Sequence, residues 1–307
     1  MRRLWGALTS LNKAAYLALI LKLTQPFTFL LDAFFFYLSR RPRTTGKFPP
    51  ILFLVGPPRS GSTITYQLLV QKLACAYLSN WHGVFPSFAY RVYRHPAPSS
   101  LKNYYGYTPK MADVYEGNEF FRELPSLSDV REIRIYFSKW IARINPKGLP
   151  MIIKNVGMYP EISKVAQALP ESCFLAVKRN LAGNIASELR AYHELGTFNP
   201  IPEELRQISI HQDPVDFACK QITSIYQDID RQLNELNPER VLMWPFEKVT
   251  KDPENSMEEI LAYFAIPFTN RTQNKIPLPA KPPVKPLRQE ERDRITDYTR
   301  SVQKSSV

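Results

Sequence analysis

Five apolar residues, Ile51-Leu52-Phe53-Leu54-Val55, run directly into Gly56-Pro57-Pro58-Arg59-Ser60-Gly61-Ser62-Thr63, and a helical pattern takes over from 63 to 74. An unbroken apolar run of this length suits a strand buried on both faces, as in parallel sheets covered by helices. A loop joining such a strand to a helix turns backbone N–H groups and the helix N-terminus toward one point, a geometry that suits phosphate or sulfate. This one segment narrows the fold to the α/β class and the ligand to an anion.

The rest of the chain repeats the alternation. Short apolar runs at 151–153, 173–177 and 240–244 are interleaved with helical patterns at 159–168, 181–193, 215–236 and 253–264. Strands alternating with helices imply a parallel sheet with crossover helices, hence a three-layer α/β domain with a central parallel sheet. Residues 80–140 break the alternation and are rich in aromatic residues, proline and serine, the character expected of an acceptor-binding insertion. The prolines and basic residues at 40–50 read as a linker, so the domain spans residues 50–300. The segment 275–288, with five prolines and four basic residues, reads as extended surface chain.

Residues 1–45 form an apolar helical extension. The run from Leu4 to Leu38 is preceded by Arg2 and Arg3 and followed by Arg40, Arg41 and Arg43, but Lys13, Lys22, Pro26 and Asp32 interrupt it. No stretch therefore reaches the roughly 18 to 20 apolar residues of a spanning helix. An in-plane anchor on a membrane surface, or a helix packed on the domain, fits instead.

A formal charge of +12 favours anionic partners without choosing among nucleotide, acidic lipid and nucleic acid. Cys75, Cys173 and Cys219 are too few and too scattered for a disulfide framework, which points to a reducing, cytoplasmic setting with peripheral membrane contact at most. His82, His95, His193 and His211 lack helical ligand spacing, so no metal site is expected.

The spacing G-x-x-x-x-G-x-T is similar to that of nucleoside-triphosphate loops, but Ser62 stands where those carry lysine and Arg59 is the loop's only cation. That lysine contacts the β and γ phosphates in phosphoryl transfer, so its loss weighs against a kinase. Pro58-Arg59-Ser60-Gly61-Ser62-Thr63 resembles the 5′-phosphosulfate loop of the sulfotransferases that use 3′-phosphoadenosine 5′-phosphosulfate (PAPS). The resemblance implies that Arg59 binds the bridging and transferring oxygens while Ser60, Gly61, Ser62 and Thr63 supply further donors. A second element at 174–187 resembles that family's 3′-phosphate motif: a strand ending in Arg179, then Asn180, with Ser187 eight residues beyond the arginine. An arginine fork can donate two hydrogen bonds to a phosphate monoester at once. Leu181 replaces the family's usual proline. Ile152-Ile153-Lys154-Asn155 resembles the preceding strand end, which gives Lys154 a role in neutralising the sulfonate. The chain has no glycine after Gly196 and so lacks the Arg-Lys-Gly loop of cytosolic members; Lys281, Lys285 or Arg288 is the candidate substitute cation. The likeness is closer to carbohydrate-type and bacterial members and covers about residues 50–270.

An acceptor hydroxyl needs a proton acceptor within reach as it attacks. Gly117-Asn118-Glu119 with its following aromatics resembles a segment of those relatives and makes Glu119 the first candidate base, ahead of Glu116 and then His82. The expected activity is sulfonate transfer from PAPS to a hydroxyl or amine of an unidentified acceptor, carbohydrate or lipid-linked. Phe85, Phe88, Tyr90, Tyr93, Tyr104, Tyr105 and Tyr107 supply an aromatic acceptor surface. Two alternatives are a kinase-like nucleotide enzyme, which would need an acidic metal ligand at a strand end, and a basic membrane- or nucleic-acid-binding module. The strand ends carry Lys154, Arg179 and Pro245 rather than acids, and a binding module leaves the paired elements unexplained, so no nucleic-acid partner is expected.

Overall fold

The computed structural model describes residues 13–38, 48–86, 101, 108–210, 212–267, 269, 278 and 285–305. Phe88, Tyr90, Tyr93, Tyr104, Tyr105, Tyr107, His95, His211 and Lys281 lie outside the described residues. In chain order the elements are α1 (Lys13–Leu38), β1 (Ile51–Val55), α2 (Ser62–Lys72), β2 (Ala76–Tyr77), α3 (Asn80–Val84), α4 (Asn118–Phe121) and α5 (Val130–Ile144). There follow β3 (Met151–Lys154), α6 (Ile162–Ala168), β4 (Ser172–Lys178), α7 (Leu181–Leu195), α8 (Pro214–Asn234) and β5 (Val241–Pro245). The described chain closes with α9 (Phe246–Lys251), α10 (Pro253–Phe264) and α11 (Gln289–Ser305).

The five strands form one parallel sheet in the order β2-β3-β1-β4-β5. Every residue of β1 is buried, and alternation divides them between two cores. Ile51, Phe53 and Val55 pack with Phe137 of α5, Ile162 of α6 and Ile225 of α8. Leu52 and Leu54 pack with Tyr66 and Leu69 of α2 and Ile260 of α10 on the opposite face. Each such side chain contributes about 1.5–3 kcal/mol on burial, which holds helices on both faces and makes the three layers. A third apolar cluster joins α7, α8 and α11 through Ile185, Leu189, Phe217, Ile222 and Ile295.

The expected sheet and both helical layers are present, with β2 as an added edge strand. Helix α5 falls inside the segment read as an insertion. Its Ile133, Phe137, Trp140, Ile141 and Ile144 belong to the main core, and Phe120, Phe121 and Leu124 just before it join them. Register fixes what matters for function. Leu54 lies opposite Lys154 on one flank, and Val55 lies opposite Ala176 on the other. The ends of β1, β3 and β4 are therefore neighbours on the C-terminal edge of the sheet, where open α/β sheets bind ligands.

Candidate anion-binding and catalytic site

The turn after β1 is strained in a way that shapes a cradle. Arg59 takes a left-handed backbone (φ 63°), which costs a non-glycine residue on the order of 1–3 kcal/mol. Gly61, also left-handed at φ 96°, precedes α2, and a Cβ there would lie 2.1 Å from the Phe246 ring. Ser60 is fully buried, and its Oγ has no hydrogen-bond partner among the described residues. A buried hydroxyl left this way costs about 1–3 kcal/mol unless something else meets it. With the unsatisfied N–H groups of the first turn of α2, it makes a set of donors suited to anionic oxygens.

The end of β4 supplies a second cation and grips the loop. Arg179 Nη1 donates to the Arg59 carbonyl at 3.1 Å, and Asn184 Nδ2, one turn into α7, donates to the Pro58 carbonyl at 2.7 Å. The Tyr226 hydroxyl of α8 accepts from the Arg179 backbone N–H at 3.0 Å and donates to Asn184 Oδ1 at 2.9 Å. Burial, and after it the neighbouring Arg59 guanidinium, lowers the pKa of Arg179 below the ordinary arginine value. Two guanidiniums held together in a partly desolvated place match a polyanion. Ser187 sits half-buried further along α7.

The end of β3 brings the third cation. Lys154, buried, donates to Thr63 Oγ1 at 3.1 Å and forms an ion pair with Glu116. Asn155 holds the Glu116 segment to the strand by donating to the Glu116 carbonyl at 2.9 Å and to Asn118 Oδ1 at 3.0 Å. Glu119 faces elsewhere: it accepts from Gln25 Nε2 of α1 at 2.9 Å and from the Tyr115 hydroxyl. His82 is buried in α3, where its Nδ1 accepts from the Ser79 backbone N–H at 3.0 Å and completes a capping box. Of the three candidate bases, Glu116 is the one linked through Lys154 to the loop. Lys285 is exposed, and Arg288 pairs with Glu291 at 3.0 Å. Among the described residues, no cluster of histidine, cysteine or acidic side chains could hold a metal ion.

A family model described as the sulfotransferase family matches residues 50–270, and this span carries the loop, Lys154 and Arg179. The chain belongs to the sulfotransferase family. The fold agrees with solved sulfotransferases at low sequence identity. Sulfotransferase STF1 from Mycobacterium tuberculosis H37Rv is 14% identical with a TM-score of 0.51, the match covering 95% of this chain and 78% of that one. Sulfotransferase STF9 from Mycobacterium avium is 14% identical with a TM-score of 0.50, over 90% of this chain and 72% of that one. No curated protein is significantly similar to the chain in sequence.

The roles of several residues around the candidate site were not legible in the sequence. Asn184 and Tyr226 hold the loop and Arg179, Asn155 holds the Glu116 segment, and each is an ordinary polar residue without a signature of its own. Phe246, just beyond β5, closes over Gly61, and the Arg179 guanidinium lies 5.8 Å from its ring centre. Gln25 lies in a segment whose apolar character drew attention away from its polar side chains.

Proposed function

We propose that this sulfotransferase uses PAPS as donor and transfers its sulfonate group to a hydroxyl of a carbohydrate or lipid-linked acceptor. The observation that carries the donor assignment is the convergence of Arg59 and Arg179 on one strained loop whose buried Ser60 hydroxyl lacks a partner among the described residues. PAPS supplies an activated sulfonate on a phosphate leaving group. Arg59, Ser60, Gly61, Ser62 and Thr63 hold the 5′-phosphosulfate, while Arg179 and Ser187 hold the 3′-phosphate. The acceptor oxygen forms a bond to sulfur as the bond from sulfur to the bridging oxygen breaks, leaving the bisphosphate product PAP. Arg59 and the loop N–H groups meet the charge that develops on the departing phosphate, and Lys154 meets that on the sulfonate. Catalysis of this kind is mostly positioning and electrostatics.

Glu116 is the carboxylate we assign as proton acceptor, in preference to Glu119. Its support is the ion pair with Lys154, which itself reaches the loop at Thr63. Three free thiols, Cys75, Cys173 and Cys219, support a cytoplasmic, reducing setting.

Calorimetric titration with PAP, alongside ATP and Mg²⁺, tests the donor assignment. PAP should bind in the micromolar range, with binding lost in Arg59→Ala and ATP weak. Binding of ATP without any response to PAP would overturn it.

A further inference from the structure

Helix α1 is built inside out. The residues it turns toward the domain include Gln25, Thr28 and Asp32, spaced to share one face, and Asp32 is almost fully buried. Gln25 reaches the Glu119 carboxylate, and Thr28 Oγ1 donates back to the Gln25 carbonyl at 3.1 Å. The opposite face carries Ile20, Leu23, Phe27, Leu30, Phe34 and Tyr37, all more than half exposed, with Leu30 at 73% and Tyr37 at 87%. Their spacing of three and four residues draws them into one stripe about 26 Å long. A water-facing helix places its polar side outward and its apolar side on the core. Here that order is reversed, and a stripe of this size marks a surface that meets something apolar.

Charge selects the occupant. Lys13 and Lys22 are exposed on the helix, Arg2 and Arg3 precede it in sequence, and Arg40, Arg41 and Arg43 follow it. Basic residues around an apolar helix face complement an anionic lipid surface. Among the described residues no helix is long and apolar enough to cross a membrane, so the stripe has to act in the plane. The same spacing would suit pairing with a second copy of α1. However, the flanking positions Thr24, Pro26, Leu31 and Ala33 offer none of the charged pairs that set register between such helices.

We propose that α1 docks the protein on an anionic lipid surface through Ile20, Leu23, Phe27, Leu30, Phe34 and Tyr37. Its inner face, through Gln25, then holds Glu119 and Tyr115 next to that surface. A carboxylate of the acceptor side is thereby brought to the lipid boundary. That consequence rests on the sulfotransferase reading; the docking itself does not.

The test is flotation of the full-length protein with phosphatidylcholine vesicles, with and without phosphatidylserine. PAP titration of every sample runs in parallel. The wild type should float with the phosphatidylserine vesicles, less so as salt is raised. Phe27→Glu/Leu30→Glu should lower partitioning by about a hundredfold, from the lost burial of two large side chains, and leave PAP affinity unchanged. Ile20→Gln/Leu23→Gln repeats the measurement if the first pair fails to fold. A wild type that stays out of the vesicle fraction, or a double variant that floats as well as the wild type, overturns the proposal. So does a wild-type dimer in light scattering that Phe27→Glu/Leu30→Glu converts to monomers without any vesicle binding. Loss of PAP binding by the wild type would instead count against the donor assignment and leave the docking result to stand.

Discussion

Replacing Arg179 with alanine separates a ligand-binding cation from a structural one. In the free protein its guanidinium makes one charge-assisted bond among the described residues, from Nη1 to the Arg59 carbonyl, a contribution of about 1.5–3 kcal/mol. Against that stand its own burial and the repulsion from Arg59, the two largest of the causes that lower its pKa. Removing the side chain removes all three together, so the unliganded variant should lie within about 1 kcal/mol of wild type in stability. Binding of PAP is another matter. Loss of two charge-assisted bonds to a phosphate should cost about 3 kcal/mol, close to a 150-fold rise in Kd. The two effects are read in one thermal-unfolding series with calorimetry. At PAP concentrations of about 100 times the wild-type Kd, wild type gains about 2.7 kcal/mol and the variant only about 0.3 kcal/mol. Arg179→Lys keeps the charge but loses the fork, so it should fall between them. A variant that is several kcal/mol less stable when unliganded yet binds PAP like wild type would refute the reasoning, because Arg179 would then be a tether for the loop and nothing more.

Three further outcomes are expected. Gly61→Ala puts a Cβ into the Phe246 ring at a left-handed backbone position, so it should destabilise by at least about 3 kcal/mol in urea unfolding and abolish PAP binding. Lys154→Met strands Glu116, whose side chain is 24% exposed, and should cost about 2 kcal/mol, less than a fully buried pair. Adding Glu116→Gln should restore most of that stability without restoring PAPS-dependent release of PAP; recovery of both would reduce the pair to a structural role. Asp213 caps α8 through the Val215 and Asp216 N–H groups and pairs with Arg294 of α11. The Arg294 hydrogen bond is the first cause holding its pKa below the ordinary value of 3.8. A folded pKa below the unfolded one gives stability that is present above 3.8 and lost as the pH falls through the folded value. Asp213→Ala should therefore cost about 1 kcal/mol near neutral pH, and denaturant curves of the two proteins should converge in acid.

The legible parts of the fold are those where local pattern and tertiary role coincide. The run from Ile51 to Val55 is apolar throughout because both of its faces are covered, and β3, β4 and β5 lie within a residue or so of the apolar runs that announced them. Strand β2 was missed because two residues, Ala76 and Tyr77, carry no periodicity; β3 makes them a strand by pairing with them. Helix α5 was lost for a different reason. Its apolar residues follow helical spacing and Asp129 caps it, accepting from Arg131 N–H at 2.6 Å, but it stands inside a stretch whose composition suggested one continuous insertion. Helix α11 has only a few apolar contacts, such as Ile295, to hold it on α7 and α8, and its surface of charged residues hides that face.

The site divides along the same line. Arg59, Lys154 and Arg179 were legible because they lie at or just beyond the C-terminal ends of buried strands, and adjacent parallel strands bring those ends together whatever the rest of the chain does. The carboxylates stand apart, because Glu116 lies in irregular chain just before the left-handed Gly117 while Glu119 lies in α4, and the turn between them gives the two side chains different neighbours. Only the contacts of Asn155 with the Glu116 carbonyl and Asn118 decide which acid meets Lys154. The ranking of Glu119 over Glu116 rested on a motif likeness that carries no such contact. What Glu119 does meet, Gln25 of α1, joins the acceptor side of the domain to the one helix whose polarity is reversed. A sequence plot of α1 shows an apolar segment with scattered polar residues. The fold turns Gln25, Thr28 and Asp32 inward as one face and leaves the apolar stripe outside, and this arrangement separates a helix that serves the core from one that serves a surface.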